Sequence, residues 1–584
     1  MTFKSFRLLG IVCVASIVLA APAAGQFPES VDPSTLDGRN GFTVVGYRYQ
    51  EFGFRVAGIG DVNADGIDDI ATGGSGCAFP PPDFLGPCNP GTKSAGATYI
   101  IFGRPDIGGN GSWNAQDLDG TTGFRIEGIF LSGQAGDIAP AGDFNNDGIG
   151  DFLVGAPTAS PFGVFAAGEA YMIYGRAGLG SAGSFDLTTL NGSNGFTIRG
   201  TNVLGGIGGG MAHIGDFNND GISDVALGEA GADPGGRTNA GQTYVLFGGR
   251  CTGDSGSFTV PNDVTPENGI KINGISAYDL TRATGSAGDF NGDGVPDLLF
   301  VSSINNPPGL PDNRVYLLYG GFDAGETGVF ELSDLDGSNG FIINSPVCRT
   351  KIGAQRIAGP KGVGDLNADG YDDIALTVWV EFANPGDWVA VIFGGPDVAP
   401  QGFLCLDDLN GDNGFRVLRS AGGVSTVGIT RAPGDLNNDG VADLFVWMFG
   451  GRVIYGGAGI GASGTVDIDD LDGIVGARFW TGGRDRSYAG DVNHDGMQDL
   501  ILGATEYVDE SDVGKIHVVF GRRMGDGDLD ADVDLDDYAA FRACVGLLKD
   551  GDVPDACHPF DFDRDNDVDL LDWGAFQTVF NTAP

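Results

Sequence analysis

Seven short acidic segments recur along the chain, and their residue types and spacing suit an oxygen-ligated cation. Each follows the nine-residue pattern Asp-x-Asn-x-Asp-Gly-x-x-Asp. Positions 1, 3, 5 and 9 carry oxygen side chains and position 7 offers a main-chain carbonyl, which together form a donor set that suits calcium. Glycine at position 6 permits the positive φ angle that wraps the chain around an ion. The pattern therefore predicts seven calcium loops.

The predicted ligands are the residues at positions 1, 3, 5, 7 and 9 of each loop. In chain order they are Asp61, Asn63, Asp65, Ile67 and Asp69; Asp143, Asn145, Asp147, Ile149 and Asp151; Asp216, Asn218, Asp220, Ile222 and Asp224; Asp289, Asn291, Asp293, Val295 and Asp297; Asp365, Asn367, Asp369, Tyr371 and Asp373; Asp435, Asn437, Asp439, Val441 and Asp443; and Asp491, Asn493, Asp495, Met497 and Asp499. An EF-hand closes at position 12 with a Glu inside a helix. These loops close at position 9 and run directly into an apolar segment, so we expect strands to follow them.

Two further acidic segments near the C-terminus have the longer spacing of positions 1, 3, 5, 7, 9 and 12. They comprise Asp526, Asp528, Asp530, Asp532, Asp534 and Asp537, and then Asp561, Asp563, Asp565, Asp567, Asp569 and Asp572. Each is followed by a short amphipathic helix pattern, which begins at Tyr538 or at Trp573. We expect a separate module over residues 524–584 that holds about two more calcium ions. Because so short a module builds little core, we expect bound metal and a disulfide to stabilise it.

The seven nine-residue loops recur at steps of 56 to 82 residues, and such a period indicates a repeat architecture. An apolar run follows each loop, and a second run ends in Phe-Gly or Tyr-Gly in most repeats. Roughly four short strands per unit match a propeller blade better than a solenoid coil. We therefore predict an all-β, seven-bladed propeller over residues 26–523, with the runs after the loops as inner strands. The segment from Phe27 to Gly38 is predicted to complete the last blade and to close the ring.

Composition narrows the classes of partner. The chain contains 103 Gly among its 584 residues, which indicates many tight turns, and its formal net charge is −46. Nucleic acid and anionic lipid surfaces would be repelled by this charge. Lys4 and Arg7 precede an apolar run and small residues that end near Gly25, so residues 1–25 read as an export signal. No later segment predicts a membrane anchor, and we expect a secreted or cell-envelope protein, monomeric, with cleavage near residue 25.

An exported chain can oxidise its cysteines. We expect one disulfide between Cys77 and Cys88, which share a Pro-rich loop, and another between Cys544 and Cys557, which bracket a connection in the C-terminal module. The cysteines that then remain in the mature chain are Cys251, Cys348 and Cys405. Because three is an odd number, at least one of them is predicted to be free or to pair with another molecule.

The repeats resemble the FG-GAP repeats of the integrin α head over residues 27–523. Gly155-Ala156-Pro157 and Phe52-Gly53 match the motifs that give the repeat its name. The paired C-terminal loops resemble a type I dockerin, and this resemblance implies a cohesin-like partner bound through the helices. Ala531 and Asn566 replace the glycine expected at the sixth position, and Leu535-Asp536 and Leu570-Leu571 replace the polar pair often used for cohesin contact. These departures leave a structural or cell-surface tether as an alternative role for the tail.

The resemblance and the composition favour an adhesion or scaffold protein over an enzyme. The seven calcium loops are expected to pin turns on one face of the ring. A protein or glycan ligand would then bind the opposite face, at variable loops such as Cys77 to Gly96 and Gly231 to Ala240. No HExxH, CxxC or phosphate-binding loop is present in the sequence, and no catalytic residue is assigned. The alternative is a polysaccharide-active enzyme or an accessory subunit of a polysaccharide-degrading complex.

Overall fold

The structure is a computed structural model of the chain. It describes residues 30–48, 52–74, 96–127, 137–249, 252–302, 314–321, 327–344, 355–380, 387–419, 428–429, 434–448, 450–471, 476–479, 485–504 and 513–522, and in the C-terminal segment 525–526, 533, 535–546, 557, 560, 568, 572–573 and 576–577. All seven nine-residue loops lie within these ranges. The predicted export signal, Cys77, Cys88, Cys251, Cys348 and most acidic residues of the two C-terminal loops lie outside them.

The described strands form seven sheets of five strands each, which we number as blades 1 to 7 in the order of their acidic loops. From the innermost strand outward, blade 1 comprises Arg55–Gly60, Asp69–Gly74, Ala97–Ile101, Gly123–Glu127 and Ser184–Phe185; blade 2 Asp137–Gly142, Asp151–Ala156, Glu169–Ile173, Gly195–Arg199 and Ser257–Thr259; blade 3 Met211–Gly215, Asp224–Glu229, Gln242–Leu246, Gly269–Asn273 and Val329–Glu331; and blade 4 Arg282–Gly288, Asp297–Val301, Val315–Leu318, Gly340–Asn344 and Phe403–Cys405.

The remaining three blades have the same plan. Blade 5 comprises Gln355–Gly364, Asp373–Val380, Trp388–Ile392, Gly414–Leu418 and Thr465–Asp467; blade 6 Gly428–Ile429, Leu444–Trp447, Gly451–Ile454, Gly476–Phe479 and Ser30–Val31; and blade 7 Asp485–Gly490, Asp499–Ala504, Val513–Val519, Gly41–Arg48 and Ser112–Asn114. The first four strands of each blade are antiparallel, and the fifth pairs in parallel with the fourth. The prediction of an all-β, seven-bladed propeller is confirmed.

The strands that surround the axis are those that precede the acidic loops. Arg55–Gly60 of blade 1, for example, lies beside the innermost strands of blades 2 and 7. The prediction that the apolar runs after the loops are innermost is wrong, because those runs are the second strands. Asp69–Gly74 and Asp151–Ala156 are buried along their whole length. Flanking strands and neighbouring blades cover a second strand on every side, whereas an innermost strand has one unpaired edge at the axial channel and is therefore less uniformly apolar.

Each fifth strand comes from the following repeat. Ser184–Phe185 leaves blade 2 to pair in parallel with Gly123–Glu127 of blade 1, and the chain then returns through a short 3-10 helix. The 3-10 helices that follow fifth strands are Pro33–Thr35, Ala115–Asp117, Leu187–Thr189, Leu332–Asp334, Leu406–Asp408 and Ile468–Asp470, and two others, Pro161–Gly163 and Pro234–Gly236, join second to third strands. The exchange covers the outer edge of each blade, which would otherwise present unpaired main-chain groups.

The N-terminal segment closes the ring with two strands. Gly41–Arg48 pairs antiparallel with Val513–Val519 and supplies the fourth strand of blade 7. Ser30–Val31 pairs in parallel with Gly476–Phe479 and is the fifth strand of blade 6. The expected closing segment, Phe27 to Gly38, therefore contributes its described strand to blade 6, and the strand that completes the last blade begins three residues later.

In the C-terminal segment, the described part contains one α-helix, Leu535–Cys544. Cys544 is joined to Cys557 by a disulfide with a Cα–Cα distance of 5.4 Å, and Phe541 packs against Phe560 and Phe576 in a small aromatic core. Cys405 in blade 4 is also disulfide-bonded. No helix in the described ranges is long and apolar enough to cross a membrane.

Candidate metal loops and the faces of the ring

All seven acidic loops lie on one face of the ring. Each one connects the innermost strand of its blade to the second strand, as Asp61 to Asp69 does between Arg55–Gly60 and Asp69–Gly74. Because equivalent connections of a propeller lie on the same side, the structure brings every predicted nine-residue set to this face, which we call the loop face. Within a set the five predicted ligand residues belong to a single tight turn.

Hydrogen bonds within the loops repeat from blade to blade. The position 6 glycine donates its N–H to the position 1 carboxylate at 2.7–2.9 Å in all seven loops. The position 3 amide donates to the position 5 carboxylate at 2.7–3.1 Å. Positions 4 and 6 both have positive φ angles, for example 66° at Ala64 and 90° at Gly66. These bonds and angles fold each loop around its own oxygen atoms.

Several loop oxygen atoms are buried without any hydrogen-bond partner. They are Oδ1 of Asn63, Oδ1 of Asn145, Oδ1 of Asp289 and Oδ2 of Asp297. An unpaired buried acceptor costs about 1–3 kcal/mol, so native structures rarely leave one unsatisfied. Among the described residues, no three His, Cys, Asp or Glu side chains form a metal-binding group on their own. The predicted donor set is of a different kind, since it combines carboxylates with an Asn amide oxygen and a main-chain carbonyl.

The aspartate at position 9 joins the loop to the third strand of its blade. In all seven blades it accepts the N–H of the glycine after that strand at 2.8–3.0 Å. Asp151, which is fully buried, accepts from Phe144, Asn145 and Gly175. Burial, reinforced by the carboxylates of Asp147 and Asp143, raises the pKa of Asp151 to about 8. A buried group with this pKa shows how strongly the site disfavours uncompensated negative charge.

The Phe-Gly and Tyr-Gly motifs have a steric explanation. A Cβ atom on the glycine would overlap the main-chain oxygen of loop position 8 in every blade, as Gly175 would overlap the oxygen of Gly150. Glycine is therefore the residue that lets the third strand approach the loop and donate to the position 9 aspartate. From the sequence this motif was predicted to mark strand ends, and its part in the loop was not predicted. Its recurrence after every third strand was the available signal.

The loop face is also connected around the ring. The residue that follows the glycine donates its N–H to the position 2 carbonyl of the preceding blade's loop, at 2.8–3.2 Å. These bonds are Arg104 to Val492, Arg176 to Val62, Gly249 to Phe144, Gly321 to Phe217, Gly395 to Phe290, Gly457 to Leu366 and Arg522 to Leu436. Side chains at position 8 add links, since Asp68 accepts from the N–H of Asp491 and Asp372 from that of Asp289. We call this closed set of contacts the inter-blade belt.

Substituting Asp151→Asn tests the position 9 bonds. We expect a loss of about 3 kcal/mol in the free energy of unfolding, because an amide presents one acceptor oxygen and leaves at least one buried N–H facing its NH₂ group. Asp106→Asn is the matched control. Its carboxylate is 88% exposed, and we expect a change within about 0.5 kcal/mol. Denaturant unfolding of both variants measures the difference, and equal stabilities would show that the buried carboxylate is not required.

The connections between second and third strands, and those between blades, lie on the opposite face. Of the two predicted ligand-binding loops, Gly231 to Ala240 is found there, and Cys77 to Gly96 lies outside the described residues except for Gly96 itself. Between the faces, the innermost strands enclose an axial cavity of about 480 Å³ that is lined in part by His213, Lys361 and Ser286. Burial lowers the pKa of His213, which therefore stays neutral near pH 7. Lys361 donates to the carbonyl of Thr284 at 2.6 Å.

Only three of the predicted C-terminal ligands are described. Asp526 is buried, and Asp537 and Asp572, which hold position 12 of the first and second loop, are fully buried. The others, Asp528, Asp530, Asp532, Asp534, Asp561, Asp563, Asp565, Asp567 and Asp569, lie outside the described residues.

Comparison with known proteins agrees with the blade geometry. Residues 212–246 match the FG-GAP repeat, and this range covers the acidic loop of blade 3 and its flanking strands. The chain is 34% identical over 179 residues to bovine phosphatidylinositol-glycan-specific phospholipase D, a match that covers 31% of this chain and 20% of the relative. It is 30% identical over 162 residues to integrin alpha-PS2 of Drosophila melanogaster, covering 27% of this chain and 10% of the relative. The ring is thus a β-propeller that contains an FG-GAP repeat at residues 212–246.

The chain spans at most about a fifth of the length of these curated relatives. Among solved structures, the Penicillium chrysogenum alpha-L-arabinanase complexed with arabinobiose has a TM-score of 0.35 at 9% identity, over 66% of this chain and 93% of that chain. A likeness of that size carries no functional information.

Proposed function

We propose that this protein is a secreted, calcium-organised binding protein, an adhesion or scaffold component whose propeller holds a protein or glycan. The observation that carries the proposal is a structural difference between the two faces of the ring. Main-chain and side-chain groups of the loop face are engaged in the loops and in the inter-blade belt. The opposite face is built of long connections between strands, where binding residues are usually found on rigid scaffolds.

Calcium fits the donor sets of the seven loops. The unpaired oxygens of Asn63, Asn145, Asp289 and Asp297 are acceptors that a cation would satisfy. In each loop the side chains at positions 1, 3, 5 and 9 and the carbonyl at position 7 would hold the ion, as in the set Asp61, Asn63, Asp65, Ile67 and Asp69. Calcium would supply positive charge to turns that bring several carboxylates together. Its role here is to hold the loops and, through the belt, neighbouring blades.

The C-terminal segment is proposed to be a docking module with two further calcium loops. Its support is the pair of buried position 12 carboxylates, Asp537 and Asp572, beside the Cys544–Cys557 disulfide. A small core stapled in this way is typical of modules too short to fold on apolar burial alone. A cohesin-like protein is the partner we propose for it.

The test is a pull-down with the full chain as bait from the secreted and envelope fractions of its source, with calcium or with a chelator. Calcium-dependent capture of defined surface proteins or glycans is the expected result. A second bait carrying Leu535→Ser, at an exposed position of the C-terminal helix, separates partners of the tail from partners of the propeller. Detectable turnover of a polysaccharide by the same preparation would favour the enzyme alternative instead.

A further inference from the structure

Four neighbouring connections on the opposite face form a continuous surface at blades 2 to 4. They are residues 157–168, 200–210, 230–241 and 274–281, which we call the connection band. Main-chain hydrogen bonds join them, since Leu204 donates its N–H to the carbonyl of Phe165 at 2.9 Å and Tyr278 donates to that of Thr238 at 2.8 Å. The carbonyl of Leu204 also abuts Gly231. The band therefore has a defined main-chain structure.

Exposed apolar side chains concentrate on this band. Five of the eight large apolar side chains that are exposed in the described ranges belong to it: Phe162 at 69%, Phe165 at 68%, Val203 and Leu204 at 62%, and Tyr278 at 47%. A single exposed apolar residue needs no explanation, but a cluster in adjoining connections indicates an interaction surface.

Three of these exposed residues have an unfavourable main-chain conformation. Phe162, Leu204 and Tyr278 have φ angles of 55°, 58° and 70°. A residue with a Cβ atom pays roughly 1–2 kcal/mol for the left-handed region. Backbone strain of this kind persists where surrounding structure enforces it, and it concentrates at ligand-binding sites. The main-chain conformation at these exposed residues is therefore enforced by the connections around them.

An arginine that no described carboxylate contacts lies beside the band. Arg282 is the first residue of the innermost strand of blade 4, and its side chain packs against Gly210 and Gly228. Nearby arginines are paired, Arg199 with Glu169 and Arg237 with Glu331. Among the described residues, no carboxylate or other acceptor contacts the Arg282 guanidinium, although the chain as a whole has a net charge of −46. Burial lowers the pKa of Arg282, as expected for a desolvated cation that lacks a partner.

We propose that the connection band and Arg282 together bind a segment of a partner protein that combines apolar side chains with a carboxylate. The guanidinium would donate to the carboxylate in a charge-assisted pair, and Phe162, Phe165 and Leu204 would pack against the apolar residues. A protein fits better than a glycan, because aliphatic Val203 and Leu204 complement aliphatic side chains, whereas sugars stack on aromatic faces. This inference rests on the proposed binding function and names the chemistry of its ligand.

Fluorescence anisotropy with synthetic peptides tests the inference on the full chain in calcium. The probe is a labelled amphipathic peptide of Leu and Glu, compared with one that has Lys in place of Glu and one that has Ser in place of Leu. We expect saturable binding of the first peptide and at least tenfold weaker binding of the other two. Equal binding of the Lys peptide would overturn the role of Arg282, and equal binding of the Ser peptide would overturn the role of the apolar surface.

Variants assign the binding to these residues. Arg282→Gln is expected to weaken binding of the Leu-Glu peptide about tenfold, equivalent to about 1.4 kcal/mol. The double variant Phe162→Ser, Phe165→Ser is expected to weaken it at least as much. Two control variants should leave binding unchanged: Arg39→Gln, an exposed arginine paired with Asp37, and Phe403→Ser, a 50% exposed residue on the fifth strand of blade 4. Thermal unfolding of each variant establishes that it is folded.

Two results would overturn the inference. One is unchanged peptide affinity in both Arg282→Gln and the double phenylalanine variant. The other is binding of polygalacturonate that depends on Arg282 and not on Phe162 and Phe165, which would assign the surface to an anionic glycan. If no peptide binds while the full chain still captures a calcium-dependent partner from envelope fractions, this inference fails and the proposed function stands.

Discussion

Removing calcium from the full chain is expected to lower its thermal unfolding midpoint by roughly 10–20 °C. Loops of this type bind with Kd values of about 10⁻⁴–10⁻³ M, so each contributes about 1.4–2.7 kcal/mol at roughly 10 mM free calcium. Over the seven loops this binding free energy amounts to about 10–20 kcal/mol. Divided by an unfolding entropy of about 2.1 cal/mol/K per residue, it gives the expected decrease in the unfolding midpoint. The physical source is the satisfaction of acceptors such as Asn63 Oδ1 and Asn145 Oδ1.

Differential scanning calorimetry with calcium, with a chelator and with magnesium measures this effect. Magnesium is the control, because it demands octahedral geometry and gives up its water reluctantly. We expect it to restore little of the lost stability. A midpoint that is the same with calcium and with the chelator would contradict the assignment of the loops to calcium.

Substituting Gly175→Ala is expected to destabilise the propeller by at least about 3 kcal/mol. The new Cβ atom would overlap the main-chain oxygen of Gly150, and both groups are held in place by strands and loop. Overpacking of this kind typically costs about 1–3 kcal/mol, and more where the main chain cannot move. If the strand moved away from the loop to remove this overlap, the hydrogen bond from Gly175 to Asp151 and the inter-blade hydrogen bond from Arg176 to Val62 would break.

Gly210→Ala is the matched substitution for comparison. A Cβ atom at this glycine would lie 3.4 Å from the Arg282 side chain, an ordinary contact, and we expect a change within about 0.5 kcal/mol. Urea unfolding followed by tryptophan fluorescence compares the two variants. If Gly175→Ala unfolded at the same urea concentration as Gly210→Ala, the close approach of strand and loop would not be a determinant of stability.

Repetition along the sequence was enough to predict the seven-bladed ring and a strand directly after every acidic loop. Spacing alone indicates one turn per loop, and Gly66 predicts the positive φ angle that the structure shows. The turn of each loop and its φ angles are local features, because they depend on residues within nine positions of one another. The composition of the apolar runs also indicated strands correctly, but it misled the assignment of the innermost strand, since full burial occurs in the second strand and not at the channel.

Tertiary structure decided which distant residues meet. The belt bond from Arg104 to Val492 joins the first blade to the last, and no pattern within a repeat specifies it. The strand that completes the last blade, Gly41–Arg48, follows the expected segment from Phe27 to Gly38, and its partner Val513–Val519 lies far away in the chain. Phe162, Phe165 and Leu204 of the connection band are also far from Arg282 in the chain. Local spacing determined the loops, whereas ring closure brought together the surfaces between blades.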